Sequence, residues 1–199
     1  MRILIIGGSG TIGQAVAKEL SQRHEIIIAG RQHGDVRVDI VDRKSIEAMY
    51  ESIGKIDAVI ATTGSVHFGE LAKMTEEQFA FGLSNKLMGQ VNLVSVGLEY
   101  INDYGSFTLT SGILNRDPIR YASSAAMING AVDGFVKSAA LEMPRGIRIN
   151  AVSPTVLAES MEKYGNYFHG FMPVSASQVA LAYIKSVEGA QTGNVYCVG

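Results

Sequence analysis

The residues best placed to do chemistry stand near the start of the chain, where Ile3-Leu-Ile-Ile6 runs directly into Gly7-Gly-Ser-Gly-Thr-Ile-Gly13. Gly8, Gly10 and Gly13 satisfy a Gly-x-Gly-x-x-Gly spacing between a strand-like run and a helix-like segment. In that setting each glycine has a task. Gly7 makes the tight turn, Gly10 lets a pyrophosphate approach the backbone, and Gly13 lets the helix pack closely on its strand. Ser9, Thr11 and Ile12 complete the turn and open a helix running to about Gln22, whose N-terminal N–H groups and dipole point at the phosphates. The chemistry implied is the holding of a dinucleotide.

A second strand, Glu25 to Ala29, decides which dinucleotide. An acidic residue at its end accepts hydrogen bonds from an adenosine ribose hydroxyl, whereas an arginine accommodates a 2′-phosphate. The run ends Ile28-Ala-Gly-Arg31, with no carboxylate and a planar fork of donors on Arg31. NADP(H) is therefore favoured over NAD(H). The competing reading is a solvated loop arginine paired with Asp35 at little gain.

Positioning such a cradle takes a sheet with helices around it. Strand-like runs lie at Arg2 to Ile6, Glu25 to Ala29, Asp35 to Val38, Ala58 to Ala61, Ser106 to Thr110, Arg148 to Val152 and Asn194 to Val198. Between them, Ile46, Met49, Tyr50 and Ile53 share one helical face. Thr75-Glu-Glu-Gln78 and Ser175-Ala-Ser-Gln178 are capping boxes that open further helices. Alternation of strands and helices predicts parallel pairing, because each crossover needs the length of a helix. The expected fold is a Rossmann-type, doubly wound α/β sheet of about seven strands with helices on both faces, three layers in all. Residues 1–199 are expected to form a single NAD(P)-binding domain, since the chain is 47% hydrophobic and shows no linker, repeat or low-complexity tract.

The formal net charge is −2 and there is no Lys/Arg run, which excludes a general nucleic-acid or membrane surface. The longest apolar runs are strand-length, and Met1 to Ile6 is too short for a signal peptide, so a cytoplasmic location is expected. The lone Cys197 fits a reducing compartment, and four scattered histidines make no metal site.

With these landmarks the chain resembles the short-chain dehydrogenase/reductase superfamily nearly from end to end. Asp39-Ile40 resembles the pair beside the adenine. Ala61-Thr62-Thr63-Gly64 stands in the place of the family's Asn-Asn-Ala-Gly stretch. Asn85-Lys-Leu-Met-Gly89 is similar to the helix segment whose Asn supports a proton relay. Phe107-Thr-Leu-Thr-Ser111 resembles the strand that delivers a catalytic Ser. Gly146-Ile-Arg-Ile-Asn-Ala-Val-Ser-Pro154 resembles the sixth strand and the loop over the nicotinamide, which continues to Val156. The glycine spacing Gly7-x-x-Gly10-x-x-Gly13 resembles the family's extended or atypical branches, although the chain is much shorter than the extended ones.

The resemblance also implies a Tyr whose pKa is lowered by a Lys one helical turn later, and this pair is missing. Tyr121 is followed four residues on by Ala125. Alignment from the downstream segment Gly134-Phe-Val-Lys-Ser-Ala-Ala-Leu-Glu142 puts Ala125 in the Tyr position and Asn129 in the Lys position. Lys137 is several helical turns from Tyr121, and Lys86 is expected on a different side of its helix from Asn85. The candidate catalytic residues are therefore Ser111, Asn85 and Tyr121. Two readings stay open: an NADP(H)-dependent reductase or dehydrogenase acting on a small carbonyl or alcohol, and a non-catalytic NADP(H)-binding protein serving as redox sensor or partner subunit.

On the substrate side, Met161, Tyr164, Tyr167, Phe168, His169 and Phe171 concentrate apolar surface between Thr155 and Phe171, as in the family's substrate lid. They suit a closable apolar pocket or an oligomer contact. Resemblance further implies a homodimer or homotetramer packed through helices at Glu76 to Leu98 and about Ala122 to Met143.

Overall fold

The computed structural model describes residues 1–199. Seven strands form one parallel sheet: β1 (Arg2–Ile6), β2 (Glu25–Gly30), β3 (Val36–Arg37), β4 (Ile56–Ala61), β5 (Ile101–Thr110), β6 (Arg148–Pro154) and β7 (Val195–Val198). Their order is β3-β2-β1-β4-β5-β6-β7, so the winding reverses between β1 and β4. Ligands of such sheets bind beyond the strands' carboxyl ends at that reversal.

Alternation along β1 shows how the layers form. Leu4 and Ile6 face one core, shared with Tyr50, Leu93 and Val132, while Ile3 and Ile5 face another, shared with Val16, Val179 and Tyr183. The first is covered by α2 (Arg43–Ile53), by α3 (Glu76–Gly82) continuing into α4 (Gly89–Gly97), and by α5 (Ser123–Ala139). The second is covered by α1 (Thr11–Leu20) and α7 (Ala176–Glu188). A short α6 (Met161–Tyr164) lies in the segment after β6. The expected doubly wound α/β architecture is thus the observed one.

Local chemistry sets the helix ends. Both capping boxes form, Thr75 with Gln78 and Ser175 with Gln178. Asp42 caps α2 by accepting from Lys44 N at 2.9 Å.

Several boundaries differ from the sequence reading. The third strand shrinks to Val36–Arg37 because Asp35 turns its carboxylate back onto Ile28 N at 2.8 Å. β5 begins five residues earlier than expected, at Ile101, which pairs with Ile56 before the register shifts. The helix expected from Glu76 to Leu98 is interrupted by a wide π turn at Leu83–Met88, where Gly89 N bonds to Ser84 O. Such turns gather at functional positions in helices.

Candidate functional site

The first cavity at the carboxyl ends of the strands is about 550 Å³ and spans β3, β2, β1 and β4. Its floor is Gly7, Ser9 and Gly10, and the loop after β2 contributes Gly30 and Arg31. Asp39 and Ile40 come from the third crossover, and Thr62, Thr63 and Gly64 from the end of β4. Gly7 is in the left-handed region (φ 80°), its N–H donates to Ala29 O at 2.8 Å, and its carbonyl accepts from Gly10 N at 3.0 Å. A Cβ on Gly13 would collide with Gly7 O and Gly8 Cα, so the start of α1 can press against the turn only as glycine. The floor is bare backbone facing a helix N-terminus, which fits a pyrophosphate.

Arg31 is exposed on the cavity's rim with no carboxylate in ion-pair reach. Asp35, its candidate partner, is instead bonded to Ile28 N. Asp39 Oδ1 accepts from Val41 N at 3.1 Å, and Thr62 Oγ1 donates to Ile6 O at 3.1 Å, which ties β4's end to β1's. Thr11 opens α1 at the surface, Ile12 packs towards α7, and Ala61 is fully buried with its carbonyl accepting from Thr110 Oγ1 at 2.5 Å. None of these three lines the cavity.

A second cavity, about 440 Å³, is mostly hydrophobic and opens beyond β4, β5 and β6. Tyr121, Ile119, Phe68, Val156, Tyr164 and Tyr167 are among its walls. Val156, expected against the dinucleotide, thus lines the apolar side, with Pro154 two residues before it at the end of β6. Tyr121 holds a left-handed backbone (φ 67°), unusual for a bulky residue, and its ring meets Tyr167 edge-on at 6.3 Å. Such conformations cost of order 1–3 kcal/mol and cluster where a site needs a side chain aimed.

Ser111 follows β5, the strand next to β4, whose end borders the first cavity. It is 3% exposed, its N–H bonds to Val152 O at 2.9 Å, and its hydroxyl has no partner within the protein. A buried hydroxyl without a protein partner is uncommon and marks this serine as a candidate site residue.

The sequence separates Asn85 from Lys86 correctly but does not reveal what each reaches. Asn85 lines the glycine-floored cavity and its Oδ1 accepts from Ser65 N at 2.7 Å. Lys86, on the other side of the helix, extends under Gly64 to the serine. Its ammonium donates to Ser111 O at 2.8 Å and to Asn129 Oδ1 at 2.7 Å. A Cβ on Gly64 would stand 2.7 Å from Lys86 Cγ, so this glycine is what lets the stem pass. Burial pulls the Lys86 ammonium down to about 8, with the Asp133 carboxylate pulling the other way. Asp133 lies one turn beyond Asn129 on α5 and accepts from Asn115 Nδ2 at 2.6 Å.

Residues 9–196 match the family described as Enoyl-(Acyl carrier protein) reductase. Human L-xylulose reductase is 26% identical over 178 residues, covering 80% of this chain and 73% of the enzyme. The short chain dehydrogenase claC of Passalora fulva is 24% identical over 198 residues, covering 86% and 73%. Among solved structures, the protein lin1944 from Listeria innocua superposes with a TM-score of 0.99 at 56% identity, covering 100% of both chains. A small-chain dehydrogenase in complex with NADPH superposes with a TM-score of 0.88 at 29% identity, covering 100% of this chain and 96% of that one. The glycine floor, the serine at the end of β5 and these likenesses along the whole chain have one source: the chain belongs to the short-chain dehydrogenase/reductase family.

Proposed function

We propose that this family member is an NADP(H)-dependent oxidoreductase acting on a small carbonyl or alcohol with an apolar body. The observation that carries the reading is a polar, glycine-floored cavity and an apolar one at the same end of the sheet, with the buried, unpartnered Ser111 hydroxyl just past the end of β5. Gly7, Ser9 and Gly10 would hold the pyrophosphate, Thr62, Thr63 and Gly64 would border the ribose and nicotinamide end, and Arg31 would take a 2′-phosphate. When bound, the nicotinamide supplies or accepts hydride, chemistry that belongs to the cofactor. Ser111 Oγ donates to the substrate oxygen and fixes its distance from the cradle. Tyr121, Tyr164 and Tyr167 wall the apolar side and exclude water. The NADPH-bound relative supports the choice of dinucleotide.

Ala125 and Asn129, where the family's Tyr and Lys would stand, favour a second reading: a dinucleotide-binding protein without turnover, serving as sensor or partner subunit. One experiment separates the two. Calorimetric titration with NADPH and NADH is followed by a carbonyl screen monitored at the NADPH absorbance. Tight NADPH binding, weak NADH binding and turnover support the oxidoreductase. NADPH binding without turnover supports the second reading, and no binding of either dinucleotide overturns both.

A further inference from the structure

We propose that Lys86 is the proton donor of this site: its ammonium reaches Ser111 and Asn129 from the opposite wall and supplies the cation that α5 lacks at Asn129. The proposal rests on the oxidoreductase reading above.

Three observations converge. The Lys86 ammonium has three N–H donors, of which Ser111 O and Asn129 Oδ1 occupy two, leaving one for a substrate oxygen held at Ser111 Oγ. Gly64, against which its stem lies, lines the dinucleotide cavity, so Lys86 passes from that cavity's edge to the serine. It also forms no salt bridge, although a lysine buried for structural reasons is usually paired with a carboxylate. Asp133 on α5 is the charged group that acts on it, and its polar contacts from β5 and α5 are the neutral Ser111 carbonyl and Asn129 amide.

Asn129 gives the exchange its logic. By alignment it occupies the position from which a lysine would project off α5, and its amide oxygen instead receives the lysine arriving from the turn before α4. The cation and the amide have traded walls. In the reductive direction the proton leaves Lys86 Nζ for the carbonyl oxygen, while the carbonyl carbon takes the hydride of a reduced nicotinamide dinucleotide. The alcohol and the oxidised dinucleotide depart, and the neutral amine takes its next proton from water. An amine holding its proton weakly enough to give it up near neutral pH suits the task.

The test begins without cofactor. Selective labelling and NMR titration of the Lys86 Nζ in the free protein should show it losing its proton well below an ordinary lysine, and an ordinary titration overturns the proposal. Turnover is then followed with NADPH and 4-nitrobenzaldehyde as the probe. Lys86→Met should lower turnover by about 10²–10⁴-fold and abolish its alkaline limb while NADPH still binds. The exchange variant Lys86→Asn with Asn129→Lys should recover part of what Lys86→Asn alone loses, because it restores an ammonium at the same point. A Lys86→Met protein that turns over the aldehyde normally overturns the donor role and leaves the oxidoreductase reading standing. Wild-type protein that binds no NADPH overturns the parent reading, whereas the NMR titration still reports on Lys86. Wild-type protein that binds NADPH and reduces no aldehyde overturns the donor role and the oxidoreductase together.

Discussion

Gln90 clasps the end of β5 at two points: its Nε2 donates to Thr110 O at 3.0 Å and its Oε1 accepts from Thr110 N at 2.8 Å. A central strand normally satisfies these groups through its neighbours. Here a fully buried side chain on α4 does so instead, which fixes the residue immediately before Ser111. Gln90→Leu should cost about 1–3 kcal/mol for each backbone group left unpaired, seen as a lower urea midpoint. Turnover in the surviving folded protein should fall as well, because the serine loses its anchor.

In the proposed NADP(H) reading, dinucleotide choice turns on Arg31. Hydrogen bonds to a charged group contribute about 1.5–3 kcal/mol, so Arg31→Glu should weaken NADPH binding by about ten- to a hundredfold. NADH affinity should hold or rise, since the new carboxylate can accept from a ribose hydroxyl. Paired calorimetric titrations read both numbers, and an equal loss for the two dinucleotides would put Arg31 outside the recognition of the phosphate.

The floor of the cradle is equally exacting. Gly13→Ala places a methyl group against Gly7 O and Gly8 Cα, both backbone, so neither can swing aside. Overpacking of this kind costs about 1–3 kcal/mol. The expected outcome is a lower melting temperature together with lost NADPH binding, measured by thermal denaturation and titration.

The pH dependence of stability carries a signature of Lys86. Its ammonium holds its proton to about pH 8 in the folded protein, against an ordinary value of 10.5. Between these values the unfolded chain binds more protons, so this group makes stability rise with pH. The cost of burying the charge is present in full below about pH 8 and relieved above it. Relative to Lys86→Met, the wild type should therefore gain on the order of 2 kcal/mol between pH 7 and 10 once partial solvent access is allowed for. Urea denaturation of both proteins at those two pH values measures the difference.

Tyr121 and Tyr167 form one edge-on pair in the apolar wall. Tyr167→Ala should raise the KM for aromatic aldehydes more than it lowers kcat, because it removes binding surface common to ground and transition states. Tyr121→Phe keeps the ring and removes the hydroxyl. Steady-state kinetics across pH should show the alkaline limb surviving in Tyr121→Phe, and its disappearance would assign the titrating proton to the tyrosine.

The glycine turn was legible because its geometry is local. Gly7 to Gly13 are consecutive residues whose spacing is itself the geometry. The unbroken apolar run Ile3, Leu4, Ile5 and Ile6 likewise reads as a strand, which the structure buries on both faces, and the two capping boxes mark helix starts to the residue. Lys86 was harder to read for a physical reason. Helical periodicity places it on another side from Asn85, which holds, yet both sides meet the site because the helix lies between the dinucleotide cavity and α5. Only the absence of a side chain at Gly64, twenty-two positions upstream, opens its route to Ser111. No pattern within the helix carries that information. The third strand is read too long for a similar reason, since the bond from Ile28 N to Asp35 competes with pairing in a way that its apolar pattern cannot register.

In a tyrosine–lysine pair four residues apart, both groups ride on one helix and stay together while that helix is formed. Lys86 and Asn129 are 43 residues apart and belong to separate elements, so their meeting depends on one piece of the protein staying docked on another. Local opening takes less free energy than global unfolding. The reaction centre is therefore expected to come apart while the sheet is still intact. In dilute urea, turnover should fade before the circular dichroism of the helices does, giving the protein an off state that is neither unfolded nor inhibited.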